Sequence, residues 1–555
     1  MRKKIVIAFG IVLVVSTIIL LAITNKNTSN DTINFNIISK NGETMLKIDT
    51  QKNNKIYYTL DGTVPTKKSK QYIKEIKLNQ NTSPNTLSDP KNSEKIYGKE
   101  ILENNTLPKG VVIRAIAISQ TGKKSKVFTK TYFPNVDIKK EFPNTIIVSL
   151  VTAPQNLLDY KTGIMVKGEI YDNWLQQNNK EIKKEDELVN KEFVDGNFMQ
   201  HGKEWERECN IEIFDNNNNS IVNELAGVRI KGNISRMYNQ KSLNIYFREK
   251  YGKDYINYPL FPQSTNINNQ TITQYKSITL RNGGNDTEIS KYKDDWLQKL
   301  VKDRSVDTQS SKIAVLFING EYWGVYTFQE KYSEDYYAEH YNLDRDNIIA
   351  IKEDEVEIGE DEDFTKYKEL MEYAKKDLTN SEIYKEFLKL VDIQSMLDYY
   401  AIQTYINNAD WGMNESNINK NVMLWRTREK EDSPYGDTKW RWTLYDLEFS
   451  SSLYNTYETS ADFCSIENAQ KKHPLFASAM KNQDFNKLFY DTYFELRNNN
   501  FEINRIKSTI NTEHQLWEPL MENHYKRFGD NNVQRYISKN STIKYFEQKI
   551  YSNPC

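Results

Sequence analysis

The amino-acid sequence predicts an α+β protein in three parts: an N-terminal transmembrane helix within residues 1–26, a small all-β sandwich at 33–135, and a two-lobed domain over 143–550. Three patterns carry this expectation. Positive charge followed by an uninterrupted apolar run opens the chain. Short alternating segments separated by turn residues come next. From Pro143 the pattern is mixed, with strands first and helices dominating after Asp363. A chain of 555 residues is too long for one ordinary core, so more than one domain is expected.

In the first part, Arg2, Lys3 and Lys4 precede a run from Ile5 to Thr24, about the length that crosses a bilayer. Charge on that side keeps it cytoplasmic and sends the remainder outward. The expected location is therefore the cell membrane, single-pass, with the C-terminal bulk extracytoplasmic. A cleaved signal peptide is the alternative reading. The run is long for its hydrophobic region and lacks a clear small-x-small site. No cysteine follows it to mark a lipoprotein. Both readings export the bulk of the chain.

In the second part, alternation is visible in Thr44-Met-Leu-Lys-Ile-Asp, Lys55-Ile-Tyr-Tyr-Thr-Leu and Val111-Val-Ile-Arg-Ala-Ile-Ala-Ile. Leu60-Asp-Gly and Gln120-Thr-Gly punctuate these runs. Several short strands at this spacing suggest a sandwich.

In the third part, strand-like runs occur at Thr145-Ile-Ile-Val-Ser-Leu-Val, Cys209-Asn-Ile-Glu-Ile-Phe, Ala226-Gly-Val-Arg-Ile-Lys, Lys241-Ser-Leu-Asn-Ile-Tyr-Phe and Ile313-Ala-Val-Leu-Phe-Ile. A helical candidate covers Ile289 to Val301. Further on, Ile393, Met396, Leu397, Tyr400 and Ala401 follow helical spacing, with Asp392 as the expected N-cap. Strands with one helix, then a link, then a helical half is the order of a two-lobed domain with a cleft between its lobes. The eight acidic residues from Glu353 to Asp363 read as a solvated inter-lobe connector, with a cation site as the alternative.

Composition excludes several functions. The 75 basic and 76 acidic residues nearly cancel, so the chain lacks the basic footprint of a nucleic-acid binder. A hydrophobic share of 38% with 27% charged residues describes globular material. Three widely separated cysteines make neither a disulfide framework nor a zinc site. HExxH, GxSxG, Walker A and GxGxxG patterns are absent.

Two resemblances add to this reading. The stretch Ile56-Tyr-Tyr-Thr-Leu-Asp-Gly-Thr-Val-Pro-Thr, with Val112-Ile-Arg-Ala-Ile-Ala and Thr131-Tyr-Phe, resembles the β-sandwich module at the C-terminus of chitobiases. That resemblance implies a module accompanying another domain, as a spacer or as a point of glycan contact. From residue 143 onward the chain resembles the spore-coat-protein-H (CotH) kinase family. The motifs, in order, are Ile147-Val-Ser-Leu-Val-Thr, Asn156-Leu-Leu-Asp, Gly163-Ile-Met-Val and Gly202-Lys-Glu-Trp-Glu-Arg. Then come Gly227-Val-Arg-Ile-Lys-Gly-Asn-Ile-Ser-Arg, Gln240-Lys-Ser-Leu, Leu280-Arg-Asn-Gly-Gly-Asn-Asp and Ile318-Asn-Gly-Glu-Tyr-Trp-Gly-Val-Tyr. Asp410-Trp, Asn421 to Arg426, Trp440-Arg-Trp and Tyr445-Asp-Leu-Glu-Phe complete the series.

This second resemblance implies an atypical protein-kinase-like fold that binds ATP with Mg2+ and transfers phosphate to a protein substrate at the cell surface or spore coat. Phosphoryl transfer needs metal ligands, a cation near the phosphates and a group that positions the acceptor hydroxyl. Asp446 ends an apolar-aromatic run and is the first candidate metal ligand, since a hard cation prefers carboxylate oxygen. Asn421 is the second, and Glu448 stands where the family more often has an aspartate. Asp410, after the helix ending near Asn408, is the candidate base. The segment Gly412-Met-Asn-Glu-Ser-Asn-Ile-Asn between these two departs from the family's usual shorter loop.

Lys241 is the expected phosphate-facing cation, with Asp294 holding it as the helix-C glutamate does in ordinary kinases. Arg229, Lys231 and Gly232 are the expected phosphate-cradling turn. Glu330 marks the expected hinge to the adenine through its carbonyl. Each residue has a plainer reading: a buried structural aspartate for Asp446, a turn asparagine for Asn421, a cap for Asp410, a surface lysine for Lys241, a solvated carboxylate for Asp294. The alternative for the whole chain is a non-catalytic surface scaffold or adhesin that keeps the fold; a glycan-associated protein is a third reading.

Overall fold

A computed structural model describes residues 31–97, 106–178, 194–414, 418–453, 465–528 and 538–549. Among these, no helix is long and apolar enough to cross a membrane. The expected anchor, Ile5 to Thr24, lies outside the described residues.

The N-terminal unit is a sandwich of two sheets. One contains Ile33–Lys40, Glu43–Thr50 and Ile76–Lys77; the other contains Lys70–Gln71, Lys55–Thr59, Val111–Ile118 and Phe128–Tyr132. Leu46, Ile48, Ile56, Tyr58, Val111, Ile113 and Ala115 fill the space between them. Val111–Ile118 is buried on both faces. One face meets the sandwich core, and the other turns to the next domain, which explains why this strand reads as an almost continuous apolar run.

That second contact is extensive. The Gly110 N–H donates to the Gly320 carbonyl at 2.8 Å. Glu212, fully buried, accepts the Thr131 N–H at 2.9 Å and pairs with Lys130. Glu321 is also buried. Its carboxylate accepts the N–H groups of Thr86, Leu87 and Ser88 at 2.6, 2.8 and 2.9 Å, together with the Thr86 and Ser88 hydroxyls. One buried carboxylate thus holds a whole turn of the sandwich against the next domain. Glu321→Gln turns an amide NH2 toward those donors. It should destabilise the seam by about 3 kcal/mol, the cost of leaving buried donors unpaired. A lowered urea midpoint and new protease cleavage near Thr86–Ser88 are the expected readouts.

The next domain begins with a closed seven-stranded barrel. Its strands, in spatial order, are Ser220–Lys231, Ser242–Tyr246, Ser277–Arg281, Glu321–Glu330, Ser311–Ile318, Ile146–Val151 and Arg207–Phe214. Ile146–Val151 runs parallel to Ser311–Ile318; the other pairs are antiparallel. Val148, Ile211, Val228, Ile230, Leu243, Ile245, Leu280 and Phe328 point inward. Alternation sends Arg229, Lys231, Asn244, Thr279 and Arg281 to the outside.

The chain crosses from the barrel to the second lobe through Lys331–Ser333 and the Glu334–Tyr341 helix. The buried Tyr332 hydroxyl donates to the Leu444 carbonyl across this junction. The second lobe packs helices around Ile393–Tyr405, which is buried on every side from Ser395 onward. Asp392 caps this helix, accepting from the Ser395 N–H at 3.2 Å. A four-stranded sheet, Glu355–Ile358, Ile348–Lys352, Met423–Thr427 and Arg441–Thr443 in order, lies beside it.

Two expectations need correction. The acidic run is no inter-lobe connector: it forms the turn and second strand of a hairpin in the second lobe, and Asp363 pairs with Arg428 at 2.7 Å. The helix expected from Ile289 covers only Lys293–Leu300, because Asp286 binds the Ser290 and Lys293 N–H groups and Lys291 takes a left-handed φ of 74°. Ser277–Arg281 is an additional barrel strand, and it carries a residue central to the site.

A candidate active site between barrel and helical lobe

The motif Leu280-Arg-Asn-Gly-Gly-Asn-Asp builds one wall. Ile278 and Leu280 point into the barrel, so Arg281 projects outward at the end of its strand. Asn282 fixes the following turn. Its Nδ2 donates to the Gln240 carbonyl at 2.6 Å, and its Oδ1 accepts the Gly284 N–H at 2.9 Å. Gly284 has φ 58°, and a Cβ there would collide with Glu448 Oε1. Glycine is required because the turn and the carboxylate occupy adjacent space. Asp286 then starts the helix that carries Asp294 in its first turn.

Arg281 is the centre of the arrangement. Its Nη2 lies 2.6 Å from Asp446 Oδ1 and 2.7 Å from Glu448 Oε2, and its Nε is 3.5 Å from Asp294 Oδ2. Asp294 Oδ1 accepts the Leu447 N–H at 2.8 Å, tying the helix to the Asp446 segment. Three carboxylates therefore share one guanidinium whose side chain is 11% exposed. Burial, together with the nearby charges of Asp446 and Asp294, raises the Glu448 carboxyl to about 8 despite Arg281. Burial opposes ionisation of Asp446 too, but Arg281 and Lys231 outweigh it and hold that carboxyl below its usual range. Burial and the Arg281 charge push Lys231 down to about 7.

The opposite wall comes from the second lobe. Met423 pairs with Thr443 in an antiparallel hairpin, so Asn421, just before one strand, and Asp446, just after the other, lie at the same end. Both adopt left-handed φ, 53° and 59°, a conformation asparagine and aspartate tolerate better than most residues. Asn421 Nδ2 donates to the Asp410 carbonyl at 2.6 Å and to Asp410 Oδ2 at 3.2 Å. The Ala409 N–H donates to the Phe449 carbonyl at 2.9 Å, so the Asp410 segment runs beside the Asp446 segment.

The structure places the other sequence candidates as follows. Lys241 does not face this cleft. Its amine donates to the Arg236 and Tyr238 carbonyls at 2.7 and 3.0 Å and lies 4.5 Å over the Phe198 ring, closing the loop in which it sits. Asp294 meets Arg281 rather than Lys241. Arg229 is ion-paired to Glu206 at 3.0 Å and stacked on Tyr246, whereas Lys231, two residues on, lies close enough to Arg281 and Asp446 to feel both charges. Gly232 has φ 115° and leads into the turn at Ile234–Met237. Glu330 ends the last barrel strand; its side chain accepts from the Ser264 hydroxyl and the Ser310 N–H, and its carbonyl accepts from the Gln309 amide.

Two cations in the cleft were not among the candidates. Arg281 belongs to a quoted motif, and strand parity marks it as outward-facing. Lys352 ends the Ile348–Lys352 strand opposite Met423, with its amine 5.1 Å over the Tyr445 ring, and its charge acts on both Asp446 and Lys231. An exposed-looking lysine after an apolar strand carries no sequence signal of that role.

The donor set suits a hard cation. Asp446 Oδ2 and Asn421 Oδ1 take no hydrogen bond from a described residue, and both are oxygens. No group of three or more His, Cys, Asp or Glu side chains capable of holding an ion occurs among the described residues. Magnesium characteristically takes one or two carboxylates and completes its shell with water and phosphate oxygens, so this sparse set fits.

Comparison with known families matches residues 228–550, more than half of the chain, to the family described as CotH kinase protein. The chain belongs to the CotH kinase family. Residues 46–132 match the Fn3 associated family, so the sandwich has a family of its own. The CotH kinase match starts within the Ser220–Lys231 strand. Ile146–Val151 and Arg207–Phe214, which close the same barrel, lie upstream of it. No curated protein matches the chain.

Proposed function

We propose that the chain is an exported, membrane-anchored protein kinase that transfers the γ-phosphate of ATP to serine or threonine of surface or spore-coat proteins. One observation carries the reading: Arg281 on a barrel strand meets Asp294 on the next helix and Asp446 at the end of a second-lobe hairpin. Ordinary protein kinases place a strand lysine, a helix-C glutamate and a metal-binding aspartate in this relation. Here arginine stands for lysine and aspartate for glutamate.

The chain's own groups divide the work. Asp446 and Asn421 would hold magnesium, which would neutralise phosphate charge. Arg281, Lys231 and Lys352 present three cations to the phosphates, and Asp294 fixes the first of them. The Lys331–Ser333 crossing after Glu330 offers backbone groups to the adenine. Asp410, oriented by Asn421, accepts the proton of the acceptor hydroxyl. The hydroxyl oxygen bonds to the γ-phosphorus as the bond to the bridging oxygen breaks, and ADP leaves with that electron pair. Transfer of label from γ-labelled ATP to a serine-rich protein, with magnesium present, tests the reading.

The pH dependence follows from two groups. Below about 7 Lys231 is cationic, and below about 8 Glu448 is neutral. Raising pH from 6 to 9 therefore removes a positive charge and adds a negative one beside the phosphates. Affinity for Mg-ATP should fall across this range, by up to about tenfold per titrating group. Lys231→Arg should flatten the lower part of the profile and Glu448→Gln the upper part, as read by calorimetry at successive pH values.

A further inference from the structure

We infer that the end of the sandwich farthest from the barrel docks on an anionic lipid surface, through a lysine cluster around the point where the chain enters. The choice of a membrane as partner rests on the anchored reading of residues 1–26; the surface itself rests on described side chains.

Segments 50–55, 66–74 and 117–127 carry nine lysines and no aspartate or glutamate, in a chain whose 75 basic and 76 acidic residues balance. All nine are exposed. Lys40, Lys47, Lys77 and Lys130 of the same unit pair with Glu75, Asp49, Glu43 and Glu212, whereas none of the nine pairs with a described residue. The fold gathers the three segments. Lys55 stands opposite Ile118 in the ladder, and Ile118 bridges to Lys124 across the following turn. The Lys67 amine lies 3.7 Å from where a Cβ on Gly122 would stand. The Tyr72 N–H donates to the Ile56 carbonyl at 2.9 Å, which sets Ile73 and Lys74 beside Lys55. Ile73 is 85% exposed, an apolar side chain raised among cations.

The entry of the chain selects the partner. Asp31, the first described residue, is buried and accepts from the amide of Asn54, which stands between Lys52 and Lys55 in the chain, at 2.6 Å. Six residues separate Thr24 from Asp31, one of them lysine and none acidic. Fully extended, they span at most about 25 Å. An anchor ending at Thr24 therefore brings this end of the sandwich to the headgroups. Ammonium groups there are attracted to anionic lipid, and an exposed isoleucine among them enters the headgroup boundary. The acidic residues of 98–105 lie between Ile96 and Leu107, which pack into the cores of the next domain at the opposite end. That end is bonded to the barrel at Gly110. The Val111–Ile118 strand between the two ends is about 25 Å long, so docking would hold the barrel about that far from the bilayer.

The test uses residues 27–555, which keep every described residue, with vesicles of phosphatidylcholine alone or with about a third phosphatidylglycerol. Sedimentation should show at least tenfold tighter binding to the anionic vesicles. A lysine near such a surface contributes about fivefold, so Lys67→Gln, Lys123→Gln and Lys124→Gln together should weaken binding by about a hundredfold. Ile73→Ser should weaken it by about tenfold. Raising salt from about 0.1 to about 1 M, which shortens the screening length from about 10 to about 3 Å, should abolish it. Thermal melts check that each variant folds. Equal binding to both vesicles, or binding unchanged in the triple variant, overturns the inference and leaves the lysines as protection of a sheet edge. Binding of soluble polyphosphate without binding of vesicles overturns it in favour of a polymer. Alkaline carbonate extraction of membranes holding the full chain reads the anchor separately. A full chain that is stripped off, while residues 27–555 still select anionic vesicles, sinks the anchor alone. A full chain that stays, while residues 27–555 ignore lipid charge, sinks the docking alone.

Discussion

Asp446→Asn should lower phosphate transfer by about a thousandfold or more, with little loss of fold. The expected size is that of removing a group that stabilises charge in the transition state. Asparagine keeps the shape but loses the anionic oxygen on which the proposed metal site depends. The fold survives because Arg281 retains Glu448 at 2.7 Å and Asp294 at 3.5 Å. Glu448 also loses a repulsive neighbour, so its carboxyl moves back toward the ordinary range. The experiment pairs γ-labelled ATP transfer with magnesium-dependent nucleotide binding in wild type and variant. Wild-type transfer in the variant would remove Asp446 from the metal site. Failure of the wild type both to transfer and to bind Mg-ATP would favour the non-catalytic scaffold.

Much of this architecture is legible in the residues. Period-2 runs mark most barrel strands, Asp392 marks the start of the central buried helix, and Asp446 stands out as a carboxylate delivered by an apolar strand. The cation was misplaced for a reason the sequence itself contains. Lys241 has the same parity as Leu243 and Ile245, which point into the barrel, so it could not project into the cleft with Lys231. By the same rule Arg281 faces outward, opposite in parity to Ile278 and Leu280. Its strand is only five residues long and follows a polar stretch, which hides the alternation. The Glu206–Arg229 pair and the Lys352 position depend on strands brought together across the fold, and no local pattern encodes them. The role of the sandwich was illegible for a similar reason. Glu321 and Glu212 look like surface carboxylates in sequence, yet each is buried against a turn or strand of the other unit.

Arg281→Met should cost about 3–5 kcal/mol of stability at neutral pH, the penalty for removing one partner from a buried ionic group. The magnitude follows from what remains. Asp446, Glu448 and Asp294 would keep their positions near one another without the guanidinium they share. Burial and mutual repulsion would then raise the Asp446 and Glu448 carboxyls in the folded state, so protonation would favour folding. Stability lost at pH 7 should therefore return as pH falls toward 5, opposite to the acid weakening of a protein held by intact ion pairs. Adding Glu448→Gln should recover a large part of the loss at pH 7, because the buried group no longer has to take up a proton on folding. Neither change should restore transfer, since the cation nearest Asp446 is still missing. Arg281→Lys separates the two roles: it returns a charge and much of the stability, but a single ammonium cannot reproduce the guanidinium's fixed fork. Denaturation at pH 5 and 7 for the three variants, beside their transfer rates, distinguishes an arginine that only holds the lobes together from one that also works on the phosphates. Rescue of stability without rescue of transfer is the outcome expected of the second.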